Sequence, residues 1–237
     1  MDPHFGYKKV PVTGGAAVIG SHVAECLLKR GDDVVIFDKM NNYYDVQIKE
    51  SNLEALMRKY GPDRVSIHRG DICDDAFMLN VFMVTRPEWV CHMAARAGVW
   101  PSIEDPHVYI HSNIKGTSHL MELSHRFGVK NFVFASSSSV YGGSVSTYFS
   151  ESESVDNPVS PYAATKKACE LLAYTYHHLY KLNVSALRFS RSMDREVDQI
   201  WPRSSSLIKL AGGKRFSNLV MGHQVEITHI SLTLWRG

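Results

Sequence analysis

From Lys8 to Phe189 the chain alternates short, continuous apolar runs with longer stretches in which apolar residues recur every three or four positions. Continuous runs of four to seven residues suit strands buried on both faces of a parallel sheet, and the longer period suits amphipathic helices. "KKVPVTGG" reads as a first strand ending in a glycine turn. "AVIGSHVAECLLKRG" then follows as a helix with Ile19, Val23 and Leu27 on one face and Gly31 as its stop. "DVVIFD", "VSIHRGDI", "WVCHMAA", "NFVFASSSSVYG" and "NVSALRF" supply five more strands. Helices are predicted between them at "NLEALMRKYG", "DAFMLNVFMV", "HSNIKGTSHLMELSHRFG" and "SPYAATKKACELLAYTYHHLY". Six strands alternating with helices predict an α/β protein with a doubly wound parallel sheet, a Rossmann fold, with ligands at the carboxyl ends of the strands.

That topology gives the first turn a chemical meaning. "TGGAAVIG", Thr13 to Gly20, joins a strand to a helix, where glycines let the backbone approach a pyrophosphate that the helix N-terminus stabilises. Gly14, Ala17, Val18, Ile19 and Gly20 are the candidate pyrophosphate cradle. Asp38 closes the second strand, where a carboxylate can accept both adenosine ribose hydroxyls and disfavour a 2′-phosphate, so NAD is expected rather than NADP. Two features run against the pattern. Ala17 stands where glycine is expected and its methyl would crowd the pyrophosphate, and Pro11 lies inside a strand expected to be central.

A second constellation lies further on. Tyr162 and Lys166 are four residues apart and so share a helix face. A cation beside a phenol favours the phenolate, which can take a proton from an alcohol while hydride leaves the same carbon. A Tyr-x-x-x-Lys pair is more often a surface pair. Here it follows the serine-rich strand end "ASSSSVYG", which can bring a hydroxyl beside the tyrosine.

Composition narrows the classes. The chain has 237 residues, 44% apolar and 21% charged, with a formal charge of +2, so it lacks the basic footprint of a nucleic-acid or anionic-membrane binder. Four dispersed cysteines without a C-x-x-C pair suit a reducing compartment. The N-terminal residues lack the apolar core of a signal peptide and no run reaches a membrane span, so a cytoplasmic protein is expected. No His/Cys/acidic spacing suggests a metal, and His177 and His178 fall on adjacent helix faces. Tyr174, Tyr176 and Tyr180 are expected to pack or to form a helix–helix surface.

The motifs TGGAxxIG, FD, GDI, HMAA, SNIKGT, SSSSVYG and YAATK, spread over residues 8–189, resemble the extended short-chain dehydrogenase/reductase family, in its NAD-dependent epimerase/dehydratase branch. "NNYYD", "AARAGVWPSIEDP" and the segment around "SVYGG" look most like UDP-glucuronate 4-epimerases. Serines in the fifth-strand turn, where related 4,6-dehydratases carry an acidic pair, favour epimerase over dehydratase. The resemblance implies Tyr162 as acid/base, Lys166 as its tuner and a ribose contact, and Ser137 as the hydroxyl bridging tyrosine and sugar O4. It places Asp71 and Ile72 beside the adenine, Ala94 and Ala95 at the pyrophosphate and ribose, and Asn113 beneath the nicotinamide. It also implies a UDP-sugar substrate, a 4-keto intermediate and a homodimer. Lys39 and Trp100 depart from the asparagine and arginine expected in this group.

After Phe189 the pattern fails. "FSRSMDREVDQIWPRSSSL" fits no element, whereas the family continues with a tyrosine-glycine-proline turn and its substrate segment. Writing the stretch in permitted codons and reading each wobble base with the next two bases gives "FTVYGPRGRPDMAPF". In the same frame the segment ending "MGHQVEITHISLTLWRG" becomes "GDGTSSRDYTYISDIVEG". Both are typical of the family, so residues 190–237 are expected to be out-of-frame translation, poorly ordered, in place of a missing substrate domain. Residues 1–189 are then the NAD-binding domain with the catalytic residues, and the 237-residue chain is expected to be inactive. The alternatives are a truncated, non-catalytic NAD-binding protein and a 4-epimerase for another UDP-sugar.

Overall fold

The computed structural model describes residues 8–144, 149–189 and 230–235, the last of these as backbone only. Six strands lie parallel: β1 (Lys9–Thr13), β2 (Asp33–Asp38), β3 (Val65–Arg69), β4 (Trp89–His92), β5 (Asn131–Ser137) and β6 (Asn183–Phe189). Their order in the sheet is β3-β2-β1-β4-β5-β6, so the chain reverses direction of winding between β1 and β4. This is the expected doubly wound architecture, and its switch point lies at the carboxyl ends of β1 and β4. One strand was not expected. β7 (Ile230–Trp235) extends the sheet antiparallel beside β6. The open edge of β6 offers a row of backbone donors and acceptors, and pairing to it needs little more than an extended segment. The remainder of the 190–237 stretch lies outside the described residues.

Helices α1 (Val18–Arg30), α2 (Val46–Tyr60), α3 (Asp75–Thr85), α6 (Gly116–Arg126) and α7 (Pro161–Tyr180) cover the sheet. α1 turns a different face inward from the one its larger residues suggest. Gly20, Ser21, Ala24, Leu27 and Leu28 are buried, whereas Ile19 and Val23 are only half-buried. Small residues on the sheet side let the helix come close: a Cβ on Gly20 would stand 2.1 Å from the Gly14 carbonyl oxygen. α2 begins six residues before the predicted start, because Asp45 caps it by accepting a hydrogen bond from the Gln47 amide. Two short helices, α4 (Val99–Glu104) and α5 (Pro106–Tyr109), and a π-helical turn at Ile110–Lys115 precede α6. Asp105 caps α5 and Pro106 occupies its first turn.

Pro11 is accommodated by register. The Asp33 amide donates to the Lys8 carbonyl and the Met93 amide to the Thr13 carbonyl, so even-numbered residues of β1 bond toward β2 and odd-numbered ones toward β4. Pro11 therefore faces β4, whose pairing with β1 starts only at Val12 opposite Cys91. The missing N–H falls before the ladder begins. The two largest core clusters lie beneath α1 and α2, including Val10, Val12, Ile36 and Leu53, and beneath α3, α6 and α7, including Phe82, Leu120, Phe132 and Phe134.

Candidate functional site

The turn after β1 is built for close approach. Gly14 has φ +67°, and a Cβ there would stand 2.7 Å from the Ala94 amide nitrogen. Its own N–H donates to the Phe37 carbonyl at 2.6 Å. The two turns that flank the switch point, after β1 and after β4, thus touch backbone to backbone. Ala17 is the N-cap of α1 at φ −72°, a conformation open to any residue, so no backbone constraint requires glycine there. Val18 and Ile19 open the helix, where first-turn N–H groups have no partner within the helix.

Behind this turn runs a buried polar chain. His92, at the end of β4, hydrogen-bonds through Nδ1 to Thr13 Oγ1 at 2.7 Å and through Nε2 to Thr117 Oγ1 at 2.9 Å. The Ala94 amide donates to the same Thr13 hydroxyl at 3.2 Å. Burial, with a smaller contribution from the Lys166 charge, pushes the His92 pKa down to about 3. His92 is therefore a neutral imidazole, donor on one nitrogen and acceptor on the other, that pins the β4 turn to β1 and α6. Ala95, beyond it, is exposed.

Asp38 sits at the carboxyl end of β2 with little exposure. Its Oδ2 accepts from the Ala16 amide at 3.3 Å and its Oδ1 from the Met40 amide at 2.9 Å. Lys49 Nζ also reaches Oδ1, at 3.2 Å, and bridges to Asn41 Oδ1 at 3.2 Å. Asp71 pairs with Lys39 at 2.6 Å and accepts from the Cys73 amide at 3.0 Å. Burial raises its carboxyl pKa, but the Lys39 and Cys73 hydrogen bonds outweigh that and leave it below the usual value. Ile72 is buried in the core against Gly116.

The second group of residues converges from β5 and α7. Ser137 ends β5 and caps the 3₁₀ turn Ser138–Tyr141, its hydroxyl accepting from the Ser139 amide at 3.1 Å. Ser160 caps α7 and Pro161 opens it, placing Tyr162 in the first turn. The Tyr162 amide donates to the buried Ser102 hydroxyl at 3.1 Å, and its ring stands edge-on to Tyr109 with centroids 6.1 Å apart. Lys166 is buried, donates to the Ala135 carbonyl at 2.7 Å and carries its ammonium 5.9 Å from the Tyr162 ring centroid. Asn113 lies on the π-helical turn. Its amide exchanges hydrogen bonds with the Arg96 backbone, at 2.7 and 3.0 Å, and donates to Thr165 Oγ1 at 3.0 Å. It ties the β4 loop to α7 from within the π-helical turn.

Several contributors went unnoticed in the sequence. Glu170, one turn beyond Lys166, accepts from Ser136 Oγ at 2.6 Å and from the Arg188 guanidinium at 2.9 and 2.8 Å. Arg188 reaches the Tyr141 hydroxyl at 3.1 Å. Over the cleft, Tyr43 donates to the Ala97 carbonyl, which Tyr109 also reaches at 2.7 Å, while the Arg96 guanidinium stacks 3.9 Å from the Tyr43 ring. The signal for the acidic partner was its position, at i+4 from Lys166 and i+8 from Tyr162 on one helix face. Among the described residues no cluster of three or more His, Cys, Asp or Glu could hold a metal, and no helix is long and apolar enough to cross a membrane.

A doubly wound sheet with a glycine turn at its switch point, and a Ser-Tyr-Lys group at the end of β5, define a dinucleotide-fold protein of the short-chain dehydrogenase/reductase type. Residues 12–201 match the family model described as GDP-mannose 4,6 dehydratase. The chain belongs to that family of NAD-dependent epimerases and dehydratases. It is 47% identical over 178 residues to UDP-glucuronate 4-epimerase of Thermodesulfobacterium geofontis, covering 75% of this chain and 54% of that protein. Among solved structures, it resembles UDP-glucose 4-epimerase of Thermus thermophilus in complex with NAD: TM-score 0.65, 35% identity, 76% of this chain and 54% of the other. It also resembles UDP-glucose 4-epimerase of Thermotoga maritima with UDP-glucose: TM-score 0.67, 32% identity, 77% and 55%. The chain spans about half the length of the curated relatives it matches.

Proposed function

We propose that residues 8–189 are the NAD-binding, proton-transferring half of a nucleotide-sugar 4-epimerase whose substrate is UDP-glucuronate and whose product is UDP-galacturonate. What supports this reading is that Ser137 ends β5 and the buried Lys166 bonds the Ala135 carbonyl two residues earlier, with its ammonium 5.9 Å from the Tyr162 ring, two strands from the glycine turn. The backbone cradle at Gly14, the first-turn amides of α1 and the Asp38 carboxylate suit NAD. When bound, NAD supplies a reversible hydride acceptor.

In this mechanism the Tyr162 oxygen takes the proton from the sugar 4-hydroxyl as the C4 hydride would leave for the acceptor that NAD supplies, giving a 4-keto sugar. Once the sugar has turned its other face, hydride would return to C4 and Tyr162 gives the proton back to the 4-oxygen. Lys166 sets a positive charge beside the phenol and reaches the ribose. Ser137 hydrogen-bonds the 4-oxygen and keeps it in line with Tyr162. Asp71, Ile72, Ala94 and Ala95 line the adenosine and pyrophosphate course, and Asn113 holds the floor of the nicotinamide site. Serines rather than an acidic pair in the β5 turn support epimerisation over dehydration. The 47% identity to a UDP-glucuronate 4-epimerase supports the choice of sugar. Exposed Leu171, Tyr174 and Tyr180 on α7 support pairing of two copies through that helix.

The stretch after Phe189 is read as out-of-frame translation that replaces the substrate domain. The curated relatives match over 181 residues, 76% of this chain, and leave the rest of it unmatched. The family match itself runs on to Trp201. The 237-residue chain then binds NAD without turning over a sugar nucleotide. Resequencing the transcript across the Phe189 codon tests the frame, and an intact reading would defeat it. Assay of the frame-restored protein with UDP-glucuronate tests the activity: UDP-galacturonate should form, and conversion only of UDP-glucose or UDP-xylose would reassign the sugar.

A further inference from the structure

We infer that Lys49 is a cofactor-specificity residue: it neutralises Asp38, and it is a cation poised to take a 2′-phosphate once that carboxylate is removed. This rests on the NAD reading of the site above. Lys49 lies on α2, outside the glycine turn, yet its side chain is only 4% exposed, and Asp38 is 8% exposed. Their ammonium and carboxylate stand 3.2 Å apart, and the Tyr44 ring covers the ammonium at 4.9 Å. Burying both charges is tolerable only because each has a partner.

The arrangement changes what Asp38 can do. A carboxylate offers roughly four acceptor positions. The Ala16 amide, the Met40 amide and Lys49 use three, leaving one on Oδ2 for a ribose hydroxyl. Asp38 thus meets the ribose with part of its acceptor capacity already used. Because Lys49 cancels its charge, rejection of a 2′-phosphate comes from the occupied space and the lost hydrogen bond more than from net repulsion. Among the described residues, Lys39 is held by Asp71 on the β3 turn, and Arg69, the strand neighbour of Asp38, is held by Glu50. Lys49 is therefore the cation left beside the 2′ position when Asp38 loses its charge.

The test measures NAD and NADP affinity by calorimetry on the 237-residue chain, so no turnover is needed. The wild type should favour NAD. Asp38→Asn should narrow the NAD-to-NADP affinity ratio by tenfold or more, since the released ammonium pairs with the phosphate. Adding Lys49→Met should abolish that gain, Lys49→Gln should repeat the loss with a polar side chain, and Lys49→Arg should keep the gain. A purely structural lysine would lower both affinities together and leave the ratio unmoved. NADP binding to the Asp38→Asn, Lys49→Met protein as tight as to Asp38→Asn would overturn the assignment while leaving NAD binding intact. Failure of the wild type to bind NAD would overturn both.

Discussion

The Glu170 carboxylate receives both arms of the Arg188 guanidinium, at 2.9 and 2.8 Å, with both side chains buried. The pair joins α7, which carries Tyr162 and Lys166, to β6, and through Ser136 and Tyr141 to the turn that carries Ser137. It thus fixes the spacing between the two halves of the proposed proton-transfer group.

Breaking that pair from one side should be costly. Glu170→Gln leaves a guanidinium charge buried without its counterion, and unfolding free energy should fall by about 3–5 kcal/mol. Replacing both residues with methionine should recover much of the loss, because the desolvation cost disappears with the charges. Urea unfolding of the single and double variants reads this directly; equal losses in both would point to packing instead.

Acidification should weaken the fold from a higher pH than carboxylates alone would set. His92 is held neutral with a pKa near 3 against an ordinary value of 6.5. Between those values the unfolded chain binds a proton that the folded chain does not, so stability falls as pH drops below about 6.5. One such proton gives a slope of about 1.4 kcal/mol per pH unit. Burial lowers the His68 pKa as well and adds in the same direction. Asp71, with a lowered pKa, loses its contribution only below about pH 4. His92→Asn should therefore flatten the slope between pH 6.5 and 5, leaving the smaller His68 part. An unchanged slope would show that His92 is protonated in the folded state.

Gly14→Ala should be severe and Ala17→Gly mild. The first puts a side chain at φ +67° and within 2.7 Å of a backbone amide, so it should cost at least about 1 kcal/mol and abolish NAD binding. The second relaxes a position at φ −72° that already suits alanine, and NAD affinity should stay within about threefold of wild type. Fluorescence titration with NAD compares the two; a large gain in Ala17→Gly would mean that the methyl does crowd the pyrophosphate.

The strands were legible because a strand buried on both faces leaves a continuous apolar run, as in Val34 to Phe37, that tolerates no polar interruption. The Tyr162–Lys166 spacing and the Gly14 turn were legible because helix period and φ > 0 leave marks on single residues. Lys49 was not. It precedes the stretch predicted as helix, and a lysine there reads as a solvated side chain until its fold partner, Asp38, is known. Arg188 was hidden for the same reason, inside a strand whose alternation was read from its apolar residues. The short helices α4 and α5 left too few turns for any period to show. β7 answers to a backbone need of the β6 edge rather than to a residue pattern.

The most direct test of the central claim is the epimerisation assay on the frame-restored, full-length protein, with Tyr162→Phe alongside. UDP-glucuronate should convert to a mixture with UDP-galacturonate without net consumption of added NAD, and Tyr162→Phe should lower the rate by at least a hundredfold. No conversion by a folded, NAD-loaded protein, or full activity in Tyr162→Phe, would contradict the account.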